Sequence, residues 1–235
     1  IRAQIETAIS NYQQHFGQPP AGIWLPECGY RPDKSNGNVA YSGIEKLLAE
    51  YDLNYFFVET HAITGGQPVG VGTGDVIGPY GDVYERYVVP PITTTQPKRT
   101  ASTFLSYYVS DEGNGSVTNN LHAGVTAFGR HTSIGQQGWS ADWGYPGDFD
   151  YRELNRKAGT SALRYWRVTG AKVDLAQKDM YHPDWADFKV EQHAEHFSHM
   201  VGDQLRDYSH HTQQYGMIAA MFNTDLFGHY WFEGI

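Results

Sequence analysis

Gly22-Ile23-Trp24-Leu25-Pro26-Glu27 is a short apolar run that a proline stops and a carboxylate follows. Its length and its flanking turn residues make it a buried strand rather than a helix. Upstream, Ile5, Ala8, Ile9 and Tyr12 fall at helical spacing within Ala3–His15, and Gly17 with Pro19-Pro20 ends that helix. Downstream, Gly43–Glu50 sets Ile44, Leu47 and Leu48 along one side of a second helix. Asn54–Val58 then reads as a second strand, ending in Glu59-Thr60-His61. Strand, helix, strand at this spacing predicts parallel βα units and so an α/β fold.

Farther out the pattern changes. From Ala62 to about Leu121 the periodicity dissolves into Gly, Pro, Thr and Asp, with short β-like pieces at Val83–Val89 and Thr103–Val109. This reads as a long irregular insertion, either a functional excursion or a disordered stretch. Gly124–Phe128 is a third strand, Asp184–Arg206 a long helix and Tyr215–Phe222 a fourth strand. No internal repeat interrupts the series. Both ends are abrupt, and the expectation is an excerpt from a longer protein.

Composition narrows the partners. With 40% hydrophobic residues among 235, the chain is long enough to bury a core. Its 17 basic against 26 acidic groups leave a net charge of −9, which argues against nucleic acid or an anionic membrane as the main partner. No apolar run reaches the roughly 18 residues of a membrane span, and Ile1–Gln14 lacks the form of a signal peptide. Cys28 is the only cysteine, so no intrachain disulfide forms and a reducing cytoplasm is expected. The 17 Tyr and 6 Trp serve packing or the stacking of sugar rings.

In parallel α/β folds chemistry gathers at the carboxyl ends of strands. Here those ends carry Glu27, then Glu59 and His61, then Arg130 and His131, then Asn223 and Asp225. Any one of them alone is an ordinary solvated strand end. Four such groups among Trp24, Trp139, Trp143 and Trp231 point toward a carbohydrate site.

Three longer stretches carry a resemblance. Trp24-Leu25-Pro26-Glu27-Cys28-Gly29-Tyr30 resembles the nucleophile motif of the family 57 glycoside hydrolases, closest to their glycogen branching enzymes. Thr224-Asp225-Leu226-Phe227-Gly228-His229-Tyr230-Trp231-Phe232-Glu233-Gly234 resembles the acid/base motif of the same enzymes. Gln137-Gly138-Trp139-Ser140 and Gly144-Tyr145-Pro146-Gly147-Asp148, through Tyr151-Arg152-Glu153, resemble a third stretch. Order and spacing agree along almost the whole chain, least between about 65 and 120. The resemblance implies an incomplete (β/α)7 barrel, here spanning 1–235 and expected to be truncated at both ends; the absence of the family's early His-Gln-Pro motif fits a lost amino-terminal portion.

It also implies a retaining mechanism with Glu27 as nucleophile. A second carboxyl group about 5–5.5 Å away would protonate the leaving oxygen. The family has Asp at that second position where this sequence has Asn223, and Glu where it has Asp225. An amide keeps the shape but has no titratable proton to give. On a continuing strand Asp225 faces the same side about 6.6 Å farther on, and it can substitute only where the strand end bulges.

Trp24, Tyr30, His61, Arg130, Trp139, His229 and Trp231 are the expected substrate-lining residues, with His131 a further candidate and a structural ion pair the plain alternative for Arg130. The implied partner is an α-1,4-glucan, with no cofactor. α-Amylase and 4-α-glucanotransferase differ only in the acceptor, and a glucan-binding protein without catalysis is the alternative that Asn223 raises. Glu191, His193, His196 and His199 have a spacing that can set ligands on one helical face. Their order is not His-Glu-x-x-His, so the expectation is no metal and a polar helix on the barrel's outside.

Overall fold

The structure, a computed structural model, describes residues 1–32, 34–36, 39–65, 76–78, 81–83, 100–109, 124–141 and 144–234. In chain order the elements are α1 (Arg2–Phe16), β1 (Gly22–Trp24), β2 (Lys34–Asn36), β3 (Val39–Tyr41), α2 (Ile44–Glu50), β4 (Tyr55–Val58), α3 (Thr60–Thr64), β5 (Val76–Gly78), β6 (Gly81–Val83), β7 (Ser106–Val109), β8 (Val125–Gly129), α4 (Thr132–Trp139) and α5 (Pro183–Thr212). The chain divides into two compact units, Ile1–Gly66 with Gln96–Arg130, and Gln67–Thr95 with His131–Ile235. Among the described residues no helix is long and apolar enough to cross a membrane.

The first unit is built on a four-stranded sheet in the order β1-β4-β8-β7. β1 and β8 both run parallel to β4, with Ile23 opposite Phe56 and Phe56 opposite Ala127. This is the parallel arrangement that the strand–helix–strand spacing predicts. β7 closes the edge antiparallel to β8, so the piece read at Thr103–Val109 is a strand from Ser106 onward. Alternation puts Phe56, Val58, Val125 and Ala127 on one face, where they form a core with Leu47, Leu48 and Leu53. The opposite face carries Tyr55, Phe57 and Phe128 in ring contact at 5.7–5.8 Å. Gly22 lies under the Tyr55 ring, and no larger side chain fits there.

The second unit has little sheet. α4, a 3-10 turn at Tyr145–Gly147 and α5 frame it, and the segment between Asp148 and His182 is held by isolated pairs, Arg152 with Arg167 and Trp166 with Met180. Its core is aromatic: Tyr145, Tyr151 and Ala186 are buried, with Tyr181, Val190, Phe197 and Trp231 packed against them. The long helix extends beyond Asp184–Arg206 at both ends.

One expectation changes. Tyr215–Phe222 is not a strand among the described residues. Its apolar composition fits one, but among the described residues it forms no more than an isolated bridge at Ala219, whose carbonyl accepts the His131 N–H at 3.0 Å. Phe222 fills the space over Gly138 instead, where a Cβ would stand 2.6 Å from the ring. Of the stretch 62–121, the structure describes the end of α3, the β5–β6 hairpin and the segment around β7. Residues 84–89 and Trp143 lie outside the described residues.

Candidate active site

β1 ends at Trp24, and the chain turns at once into a single 3-10 turn, Pro26–Cys28. Glu27 and Cys28 both take left-handed backbone conformations, with φ of 52° and 51°. Non-glycine residues there cost roughly 1–2 kcal/mol each, so two in succession make a strained elbow. Its surroundings hold it. Leu25 and Cys28 are buried, Cys28 N–H donates to Leu25 O at 2.9 Å, and Gly29 N–H donates to Pro26 O at 3.0 Å. The Trp24 indole N–H donates to Cys28 Sγ at 3.1 Å. The result is an exposed Glu27 side chain that makes no hydrogen bond or ion pair with a described residue.

The neighbouring strand ends add to this elbow. The Arg130 guanidinium lies 5.5 Å from the centre of the Trp24 ring, and its Nε is 3.5 Å from Glu59 Oε1. The backbone fixes Arg130: its N–H donates to Val58 O at 2.9 Å, and Thr60 Oγ1 donates to its carbonyl at 2.8 Å. Burial pushes the Cys28 thiol pKa above its ordinary value, and the nearby Glu59 adds to this. The carboxyl ends of β1, β4 and β8 thus gather Trp24, Glu27, Cys28, Glu59 and Arg130. His61 is exposed on α3. Tyr30 turns toward the core, stacked on Phe56 at 5.3 Å and donating its hydroxyl to Glu45 Oε2 at 2.9 Å.

The second unit carries the other candidates. Asn223 caps a 3-10 turn, Thr224–Leu226, and its carbonyl accepts from Leu226 N–H at 3.0 Å. Because this is a turn and not a strand, the two-residue alternation between Asn223 and Asp225 does not hold. Both side chains are exposed, as are His229 and Trp139. Trp231 is locked from its backbone outward. Its N–H donates to Leu226 O at 2.7 Å, and its ring lies 6.0 Å from Tyr145 and 5.9 Å from Tyr151. Next to it, Glu233 Oε1 accepts the Arg152 N–H at 3.0 Å, and the Arg152 guanidinium covers Phe232 at 3.5 Å.

The sequence reading missed the cluster behind Trp231. His193 and His196 of α5 do not form a merely polar outer face. Tyr151 Oη is 2.8 Å from His193 Nδ1, and Tyr145 Oη is 2.7 Å from His196 Nδ1. His193 Nε2 sits 3.5 Å from Asp148 Oδ2, a neighbour that favours the tautomer with its hydrogen on Nε2. The Tyr151 hydroxyl then donates to Nδ1. Burial lowers the His193 pKa, against the pull of Asp148, and lowers that of His131 as well. Burial also pushes the Tyr145 hydroxyl up to about 12. The available signal was three histidines spaced by three on one helix, opposite a tyrosine-rich loop.

The first 200 residues match the family model of glycosyl hydrolase family 57. The chain belongs to this family. A 1,4-alpha-glucan branching enzyme of Thermococcus kodakarensis is 39% identical over 240 residues, covering 100% of this chain and 31% of that protein. A probable 1,4-alpha-glucan branching enzyme of Mycobacterium tuberculosis is 26% identical, covering 98% of this chain and 33% of its own length. The chain therefore spans about a third of the curated relatives it matches.

Among solved structures, the Thermococcus branching enzyme superposes with a TM-score of 0.74 at 38% identity, over 99% of this chain and 38% of that one. A family 57-type branching enzyme of Pyrococcus horikoshii gives 0.73 at 35%, over 99% of this chain and 36% of that one. An alpha-amylase of Thermotoga maritima gives 0.62 at 29%, over 99% and 39%. The family 57 fold is here one of mixed helix and strand with a small sheet.

Proposed function

We propose that this chain carries the catalytic positions of a retaining 1,4-α-glucan branching enzyme, within a partial (β/α)7 barrel. The observation that carries the reading is the strained elbow after β1, which offers an exposed Glu27 carboxylate, without a partner among the described residues, beside Trp24. It lies inside a motif shared in order with the family, in a chain alike along its full length to a branching enzyme. Glu27 would attack the anomeric carbon of an α-1,4-linked unit as the bond to the leaving O4 breaks and that oxygen takes a proton. The 6-hydroxyl of a second glucan would then attack the same carbon, give up its proton, and release Glu27. In the first unit Trp24, His61 and Arg130 are proposed to contact glucan, with Tyr30 supporting them from the core side; in the second unit Trp139, His229 and Trp231 are proposed to do so. The free thiol of Cys28 suits a reducing cytoplasm.

The weak link is Asn223, which has no proton to supply. It favours a second reading, a glucan-binding homologue with little turnover. One experiment separates the two. In the whole protein, Asn223→Asp is expected to raise transfer from amylose about 100-fold, the usual worth of general acid catalysis. Glu27→Gln is expected to abolish trapping of the glycosyl intermediate by a glycosyl fluoride. Undiminished trapping in Glu27→Gln overturns the nucleophile, and glucan binding with every variant inert supports the binding protein.

A further inference from the structure

The second unit holds a cavity of about 470 Å3 whose wall includes none of the proposed substrate-lining or catalytic residues. Small-molecule sites measure roughly 300–1,000 Å3. Gln137, Tyr145, Asp148, Phe149, Lys189 and His196 contribute the groups that matter. The floor is drawn tight by two glycines. A Cβ at Gly144 would come within 2.6 Å of the Gln136 and Gln137 carbonyl oxygens, and one at Gly147 would collide with the Ala141 carbonyl.

The polar groups are held in place. The Tyr145 ring is buried, stacks on His193 at 4.5 Å and binds His196 through its hydroxyl. Asp148 Oδ1 accepts the Asp150 N–H at 2.9 Å, and its Oδ2 faces His193, so the carboxylate is aimed before any ligand arrives. Phe149 is about half exposed, at 51%. The Lys189 ammonium and the Gln137 amide make no bond with a described residue.

The mixture selects the ligand class. An anion entering the cavity would meet Asp148 and Asp150, and a cation would meet Lys189. A neutral, polyhydroxylated ring satisfies all of them: its hydroxyls donate to a carboxylate, accept from an ammonium or amide, and its apolar face lies on an aromatic ring. We propose that this cavity binds a glucosyl unit of an α-glucan, as a subsite whose lining includes none of residues 24–30 and 223–234. The proposal rests on the glucan reading above.

The test uses the whole protein, titrated with maltoheptaose by calorimetry and run in native gels cast with amylose. Phe149→Ala and Lys189→Ala are each expected to weaken glucan binding about tenfold, and Phe149→Tyr to restore it. Should Phe149→Ala fail to fold, Lys189→Ala alone decides. Unchanged affinity in Lys189→Ala and the folded Phe149 variant, in a protein that binds and processes glucan, overturns the subsite and leaves the function standing. Binding of inorganic phosphate that Lys189→Ala abolishes, with glucan binding untouched, overturns the neutral ligand class. A parent protein that neither binds nor processes glucan brings down both readings.

Discussion

In the unit formed by Ile1–Gly66 and Gln96–Arg130, Leu48 and Phe56 lose all contact with water, and Leu53 and Val125 nearly all. Their partners are mostly aliphatic, and sheet ladders satisfy the backbone around them. In the unit formed by Gln67–Thr95 and His131–Ile235, the largest fully buried side chain is Tyr151, a hydroxyl that needs a histidine. There, among the described residues, the long loop between the 3-10 turn and α5 is joined by isolated bridges rather than a sheet, and charged groups take over. Lys178 Nζ pairs with Glu153 Oε2 at 3.2 Å, with only 7% and 9% of the two side chains exposed, and donates to Val168 O at 2.6 Å. Arg167 joins Asp150 at 3.2 Å to Asp179 at 2.8 Å. One unit is stabilised by removing apolar surface from water. The other depends on its buried charges and hydroxyls keeping the partners they have, which makes each loss costly.

The contrast breaks most readily at Phe56. Phe56→Ala is expected to cost about 4 kcal/mol of the first unit's stability, the scale of a large core truncation. Cys28 is buried in that unit, so its labelling by a thiol reagent reports the opening directly. Exchange of the α5 amides should be much less affected, and equal loss of protection there would show that the two units do not act separately.

Slightly smaller is Lys178→Met, which leaves Glu153 buried without its cation, at about 3 kcal/mol. Adding Glu153→Leu should recover most of the loss in a urea titration followed by α5 exchange. A double variant no better than the single one would mean that Lys178 acts through its carbonyl bonds alone.

A pH titration sharpens the comparison further. The lowered pKa of His193 means that the unfolded chain takes up a proton first as pH falls below about 6.5. The second unit should therefore be steady above that pH and weaken as it falls toward the folded value. His193→Gln should flatten the slope below pH 6.5, and an identical slope in that variant would assign the effect to other groups, His131 first. The smallest effect expected is that of Arg130→Gln, about 1 kcal/mol, because its cation–π contact with Trp24 and its pair with the partly exposed Glu59 are each modest. Its sharper readout is a change in Trp24 emission.

The first unit was the more legible one in the sequence, for the same reason that it is simpler. Ile23 and Trp24, Ile44 to Leu48, and Tyr55 to Val58 declare their periods because apolar burial is what forms them. Tyr215–Phe222 shows the limit: the residues are strand-like, yet a strand needs a neighbour, and no local pattern reports whether one arrives. The helix of His193 and His196 was readable, but a histidine bonded to water and one bonded to tyrosine have the same spacing. The Glu27–Cys28 elbow left no compositional mark either, because neither residue type favours the left-handed conformation it adopts.

That elbow limits how this protein can adapt to heat. Glycine at position 27 or 28 would release the local strain, and a search for stability alone would find it quickly. At 27 it would erase the carboxylate; at 28 it would remove the sulfur that anchors the Trp24 indole. A lineage moving to hotter surroundings must therefore leave this corner in its high-energy shape and gain its robustness elsewhere, in the sheet behind it or in the paired charges of the other unit.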